Sequence, residues 1–86
     1  METIFRRVRV ADYQRFREVY DAGTPAREAG GMHNEQMLRN PNDPNDILIM
    51  TTVENIERAR AYGQSEEVRQ RQRDAGLLEL SNYYPE

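Results

Sequence analysis

Asp46-Ile47-Leu48-Ile49-Met50-Thr51-Thr52-Val53 is the only run of this chain with apolar residues at four consecutive positions. Side chains on a strand alternate between faces, so a half-buried strand should read apolar, polar, apolar. Here Ile47 and Ile49 point one way, and Leu48 and Met50 point the other. Both faces of this strand are apolar, and both need cover. A chain of 86 residues has room for one domain and one small core, residues 1–86, and can cover one sheet face with its own helices. The second cover is expected from another copy of the chain.

Working outward, the flanks supply the rest of a sheet. Residues 3–10 read as a first strand, with Ile4, Val8 and Val10 on one face and Phe5, Arg7 and Arg9 on the other. Asp12 is a natural N-cap for a helix over about 12–29, striped by Tyr13, Phe16, Val19 and Tyr20. Gly23-Thr24-Pro25 predicts a break in it, with Thr24 capping the new turn. Residues 32–39 read as a second strand, with His33, Glu35, Met37 and Arg39 on one face and Met32, Asn34, Gln36 and Leu38 on the other. Asn40-Pro41-Asn42-Asp43-Pro44-Asn45 is a loop, since Pro fixes φ and Asn and Asp bond back to nearby backbone. Glu54 to Gly63 reads as a helix with Ile56, Ala59 and Tyr62 on one stripe, and Ser65 caps a continuation to Gly76. In that continuation Arg69, Arg71 and Arg73 read as a solvated face. Leu77–Tyr84 is the last strand. The order βαββαβ is α+β and ferredoxin-like: a four-stranded antiparallel sheet with two helices on one face.

Composition removes several chemistries. There is no cysteine, which excludes disulfides and thiolate chemistry, and one histidine argues against a zinc site built within a single chain. All twelve basic side chains are arginine, so no lysine can form a Schiff base. The net charge of −3 and a pI near 5.2 do not fit a nucleic-acid binder. Residues 46–53 carry no aromatic for base stacking. No apolar stretch reaches the ~20 residues that span a bilayer, and the N-terminus has no signal-peptide core. A cytoplasmic protein without cofactor or metal is expected.

Val10-Ala11-Asp12-Tyr13 with Phe16, Arg39 before Asn42-Asp43-Pro44-Asn45, the hydrophobic strand, Ile56 with Ala59 and Tyr62, and Ala75-Gly76 together resemble the dimeric α/β-barrel superfamily over nearly the whole chain. The resemblance implies a homodimer whose sheets pack face to face into a barrel, with a cavity in each protomer. Relatives of this kind include cofactor-independent monooxygenases of antibiotic biosynthesis, polyketide cyclases, lactone isomerases, haem-dependent enzymes and stress-responsive proteins. No catalytic set carries over residue by residue, and the chain has no Trp.

His33 is the one side chain whose unperturbed pKa lies near neutrality, which makes it the acid–base candidate, with Glu35 two residues away to orient it. Asn34 and Gln36 could hydrogen-bond a carbonyl or enolate oxygen. Arg7, beside Phe5 and Arg9, could attract an anionic ligand or pair with Glu79. Tyr83 and Tyr84 with Asn82 could close a cavity or form the dimer contact. Two functions follow from these residues. One is an enzyme acting by proton transfer or cofactor-free oxidation on a small apolar, aromatic or polyketide-like molecule. The other is a non-catalytic ligand-binding or stress-response module of the same fold.

Overall fold

The computed structural model describes residues 1–86. Its elements are β1 (Glu2–Val10), α1 (Tyr13–Ala22), α2 (Thr24–Ala29), β2 (Met32–Asn40), β3 (Asp43–Val53), α3 (Ile56–Gly63), α4 (Glu66–Asp74) and β4 (Leu77–Tyr83). The strands form one antiparallel sheet in the order β2-β3-β1-β4. This is the ferredoxin-like α+β arrangement, with each of the two expected helical segments broken into two helices. No helix is long and apolar enough to cross a membrane.

The breaks follow from local chemistry. Asp12, Asn55 and Ser65 each accept a backbone N–H three residues on, at 3.3, 2.9 and 3.3 Å, and so cap α1, α3 and α4. Thr24 does not cap α2. It sits inside the first turn, and its Oγ1 accepts from Arg27 Nη2 at 3.0 Å. Gly23 has an ordinary φ of −87°, so handedness does not require it. A Cβ there would stand 2.8 Å from Arg27 Nη1, so the guanidinium end of Arg27 would have to shift to admit one.

Strand β3 decides which face is which. Ile47, Ile49, Thr51 and Val53 are buried under the helices. One core cluster joins Val8, Val10, Phe16, Ile47, Ile49 and Ala75; a second joins Ile4, Met32, Val53 and Ala59. Leu48 and Met50 point to the other face, where no helix packs, in register with Arg7 and Phe5 of β1. Leu38 and Tyr83 extend this bare face and are 50% and 55% exposed.

Two expectations about strand geometry need correction. The β2–β3 connection is a tight hairpin with Asn40 opposite Asp43, so β3 begins three residues earlier than the loop reading placed it. Side chains of Asn40 and Asp43 accept the backbone N–H of Asn42 and Asn45, which builds the turn into the strand ends. More consequentially, the β2–β3 register shifts between His33 and Gln36, and Asn34 takes a left-handed φ of 52°. One extra residue in β2 is a bulge, and it inverts alternation across it. Met32, Glu35, Met37 and Arg39 therefore face the helices, while His33, Gln36 and Leu38 face away. His33 and Glu35 lie on opposite faces, not the same one.

On the bare face, Asp46 accepts two bonds from Arg7, 3.0 Å from Nε and 2.7 Å from Nη2, and a third from Asn40 Nδ2 at 3.0 Å. Arg7 thus pairs with Asp46, and Glu79 instead meets Arg9 at 3.5 Å. The Arg7 bonds, then the Asn40 bond, hold the Asp46 carboxyl down at about 2 from an ordinary 3.8. A carboxylate depressed in the folded state stabilises it fully above its unfolded pKa and loses that contribution as pH falls through the folded value. The expected outcome is that urea stability falls between pH 3.8 and about 2. Asp46→Asn should be less stable at pH 7 and should show a shallower loss in that window. Parallel pH profiles would sink the assignment.

Candidate functional site

The helix-facing row of β1 reads Ile4, Arg6, Val8, Val10, so an arginine stands among core residues. On β3 the helix-facing row is likewise interrupted by a polar residue, Thr51, which stands opposite Ile4 and accepts from Arg6 Nη2 at 3.0 Å. The bulge in β2 turns Glu35 into the same layer. Glu35 accepts from Arg6 Nη2 at 3.0 Å, Arg27 Nε at 2.8 Å, the Tyr20 hydroxyl at 2.5 Å and Thr51 Oγ1 at 3.4 Å. Arg27 stacks on the Tyr20 ring with its guanidinium carbon 3.6 Å from the centroid. These groups are mostly buried: Arg6, Glu35 and Arg27 side chains are 19%, 16% and 8% exposed.

The electrostatics follow from burial. Desolvation works to raise the Glu35 pKa, but hydrogen bonds from Tyr20 and Arg27 and the charges of both arginines together outweigh it, leaving the carboxyl below its ordinary value. Burial is the main reason the Tyr20 phenol is pushed up to about 12, so it stays protonated at neutral pH and donates to Glu35. The centre therefore holds two guanidinium cations against one carboxylate. Arg6 Nε is buried with no hydrogen-bond partner.

Beside this centre lies a cavity of about 160 Å³ between the sheet and the helices. Its walls are mainly apolar, including Ile4, Val8, Ile49 and Val68, and Arg6, Tyr20 and Arg27 form a polar end. It opens between the α3–α4 corner and β4, where Gln64, Leu80 and Asn82 are exposed. An apolar concavity with a few convergent polar groups is the usual form of a small-molecule site. Arg71 reaches the cavity too, donating to the Tyr62 hydroxyl at 2.9 Å, so this member of the arginine series is not on a solvated face.

His33, Asn34 and Gln36 do not line this cavity. They border a second, polar depression of about 340 Å³ at the β2 edge, with Arg17, Asp21 and Glu28. The carboxylate that meets His33 is Glu54, 2.5 Å from Nε2, rather than Glu35. Arg7 and Tyr83 lie on the bare sheet face and line neither concavity. Of the C-terminal group, Asn82 and Tyr84 line the interior cavity, whereas Tyr83 stands opposite Phe5. The sequence reading does not single out Arg6 or Arg27, places Tyr20 in the core stripe, and makes Glu35 the partner of His33. Arg6 was legible, because strand alternation puts it among Ile4, Val8 and Val10. Glu35 was hidden by the bulge.

Removing the carboxylate leaves two buried guanidinium groups uncompensated. Breaking a buried pair in this way costs about 3–5 kcal/mol. Glu35→Gln is expected to lose that much stability in urea denaturation, with Tyr20→Phe losing about 1–3 kcal/mol as two hydrogen bonds go, the one given to Glu35 and the one accepted from Arg6. A Glu35→Gln protein as stable as the parent would show the network to be weakly coupled to the fold.

No protein-family model matches the chain, and no curated protein matches it in sequence. Solved structures do. A structure described as an antibiotic biosynthesis monooxygenase superposes with a TM-score of 0.74 over 100% of this chain and 97% of that one, at 8% identity. SnoaB, a cofactor-independent oxygenase from Streptomyces nogalater, superposes with a TM-score of 0.68 over 98% and 91%, at 18% identity. A Nitrosomonas europaea protein provisionally described as an antibiotic biosynthesis monooxygenase superposes with a TM-score of 0.72 over 100% and 97%, at 12% identity. The chain has the ferredoxin-like fold of the antibiotic biosynthesis monooxygenase proteins, along essentially its whole length.

Proposed function

We propose that the chain is a cofactor-independent, monooxygenase-like enzyme that acts on a small aromatic molecule in the cavity between sheet and helices, as a cytoplasmic homodimer. The observation that carries this reading is the cavity itself: apolar walls closed at one end by Arg6 and Tyr20, in a fold shared with a cofactor-independent oxygenase. Fold alone does not assign a reaction. The cavity adds walls that shed water around an aromatic ring, and donors that fix an oxygen substituent.

The reaction this suits is oxidation of an ionised phenol or enol, the electron-rich form that can react directly with dioxygen. A hydroxyarene with a ring C–H takes up one O₂. One oxygen atom becomes the new carbonyl, the other leaves as water with the ring and hydroxyl hydrogens, and the product is a quinone. The protein's part is to hold the ring and stabilise the oxygen's negative charge. Tyr20, a protonated phenol at neutral pH, gives its one O–H to Glu35 and is not a base.

The dimer reading rests on the bare sheet face. Phe5, Leu38, Leu48, Met50 and Tyr83 present apolar surface there with no helix over them. Stacked sheets pack about 10 Å apart and would bury these side chains between copies. Light scattering behind a sizing column is expected to give twice the 10.1 kDa chain mass over a wide concentration range. Leu48→Arg should shift the mass to one chain, and a strict monomer from the parent protein would defeat this part of the proposal. Activity is checked with an oxygen electrode and a panel of monohydric phenols whose free para C–H can take up the new oxygen. The expected result is protein-dependent O₂ uptake with quinone formed in equal amount, reduced at least ten-fold in Arg6→Met. No uptake above the spontaneous rate for any of them would count against the oxygenase reading.

A further inference from the structure

The interior cavity has a charge bias that the protein as a whole does not. The chain carries fifteen acidic residues, twelve arginines and a net charge of −3. Four of those arginines, Arg6, Arg27, Arg60 and Arg71, line the cavity, and no Asp or Glu does. Arg71 is paired with Glu67, and Arg6 and Arg27 share the single carboxylate of Glu35. Arg60 stands near the Tyr84 ring, 5.1 Å from its centroid, at the cavity mouth. The inner end is therefore left with one uncompensated positive charge. An unmatched charge is unfavourable in a low-dielectric interior, and an anionic oxygen in the cavity would offset it.

Size sets the second limit. The cavity measures about 160 Å³. A dry engineered cavity of about 150 Å³ in another protein holds one benzene ring. Three fused rings exceed such a volume and would have to protrude through the mouth.

We infer that the cavity selects single-ring aromatic acids, with the carboxylate or phenolate oxygen on Arg6 and the ring between Ile4, Val8 and Ile49. This narrows the substrate class of the proposed function and rests on that reading of the cavity as the site. Arg60, at the mouth, draws the anion in; Arg6 receives it.

The test uses the native protein and measures binding, not turnover. Benzoate, benzamide and anthraquinone-2-carboxylate are titrated while the methyl signals of Ile4, Val8 and Ile49 are followed by NMR. Benzoate is expected to shift these methyls and to bind at least about ten-fold tighter than the isosteric neutral benzamide, the factor a charge-assisted hydrogen bond corresponds to. Anthraquinone-2-carboxylate is expected to leave them unmoved. Raising the salt concentration should weaken benzoate and leave benzamide unchanged. Arg6→Met should bring the benzoate-to-benzamide ratio towards one. Because Arg6 also holds Glu35, that variant can fail to fold; the two-ligand comparison on the native chain decides the matter without it.

Equal affinity for benzoate and benzamide overturns the charge selection. Binding of the tricyclic acid at these methyls overturns the size limit. Benzoate shifts confined to the bare sheet face or to the His33 depression overturn the placement. Selective benzoate binding without oxygen uptake from any phenol defeats the oxygenase reading and leaves this one standing. Turnover of neutral rings with benzamide and benzoate bound alike does the reverse.

Discussion

The fold turns on one buried carboxylate. Glu35 sits where the two halves of the core meet, with Arg6, Arg27, Tyr20 and Thr51 bonded to it. On one side is the cluster around Ile47, Ile49 and Phe16; on the other is the cluster around Ile4, Met32 and Val53. Each ion in such a place costs several kcal/mol of lost hydration, so the arrangement holds only if its hydrogen bonds are nearly complete. Three irregularities elsewhere in the chain serve that requirement. An arginine occupies a core-facing strand position. A bulge with left-handed Asn34 rotates Glu35 inward. Gly23 omits the Cβ that would displace the guanidinium end of Arg27. The first two are not explained by local propensity alone and are explained by the carboxylate; Gly23 also serves the break between α1 and α2.

What could be read from the sequence follows the same division. Strand and helix order, the caps Asp12 and Ser65, the break near Gly23 and the two apolar faces of β3 are all set by short-range chemistry: alternation, side-chain caps and turn residues. They were legible because each is decided within a few positions. The site was not, because it is assembled by one register shift. A single extra residue in β2 exchanges the faces of everything on one side of it. Extrapolating alternation through Asn34 put Glu35 beside His33 and hid it from Arg6. The bulge had no loud signature, since Asn is only moderately favoured at positive φ and no Gly marks the spot. Arg71 was hidden differently: a helix with arginines every second residue looks uniformly solvated, and only packing against Tyr62 singles one out.

The bare face of the sheet follows a different logic. Its charged element, Asp46 with Arg7 and Asn40, is complete within the chain, each carboxylate oxygen bonded. Its apolar element, Phe5, Leu48 and Met50, is not, because no helix reaches it. A second copy placed there would meet an Asp46 carboxylate that is already satisfied, so burial would add apolar contact without stranding it. That is the condition under which covering a sheet face is favourable. On the helical face the opposite holds: the polar centre keeps an unmatched charge.

That contrast bears on why the ionic centre exists. Buried ion pairs can often be replaced by aliphatic residues of similar volume with equal or greater stability. Arg6, Glu35 and Thr51 occupy positions where Leu, Met and Val would join the two apolar clusters into one. A chain of 86 residues with two Phe and no Trp has little apolar volume to spare, and a continuous core would serve its stability better. The charged row instead divides the core and borders the cavity on its polar side. Stability alone therefore does not account for it. The proposed ligand site would account for it, because a donor array beside a cavity is useful only if it is held rigid before a ligand arrives. Glu35 supplies that rigidity by locking two guanidinium planes, Arg6 directly and Arg27 against the ring of Tyr20. The carboxylate that looks like a candidate base is better understood as the strut that keeps the cationic end of the cavity in place.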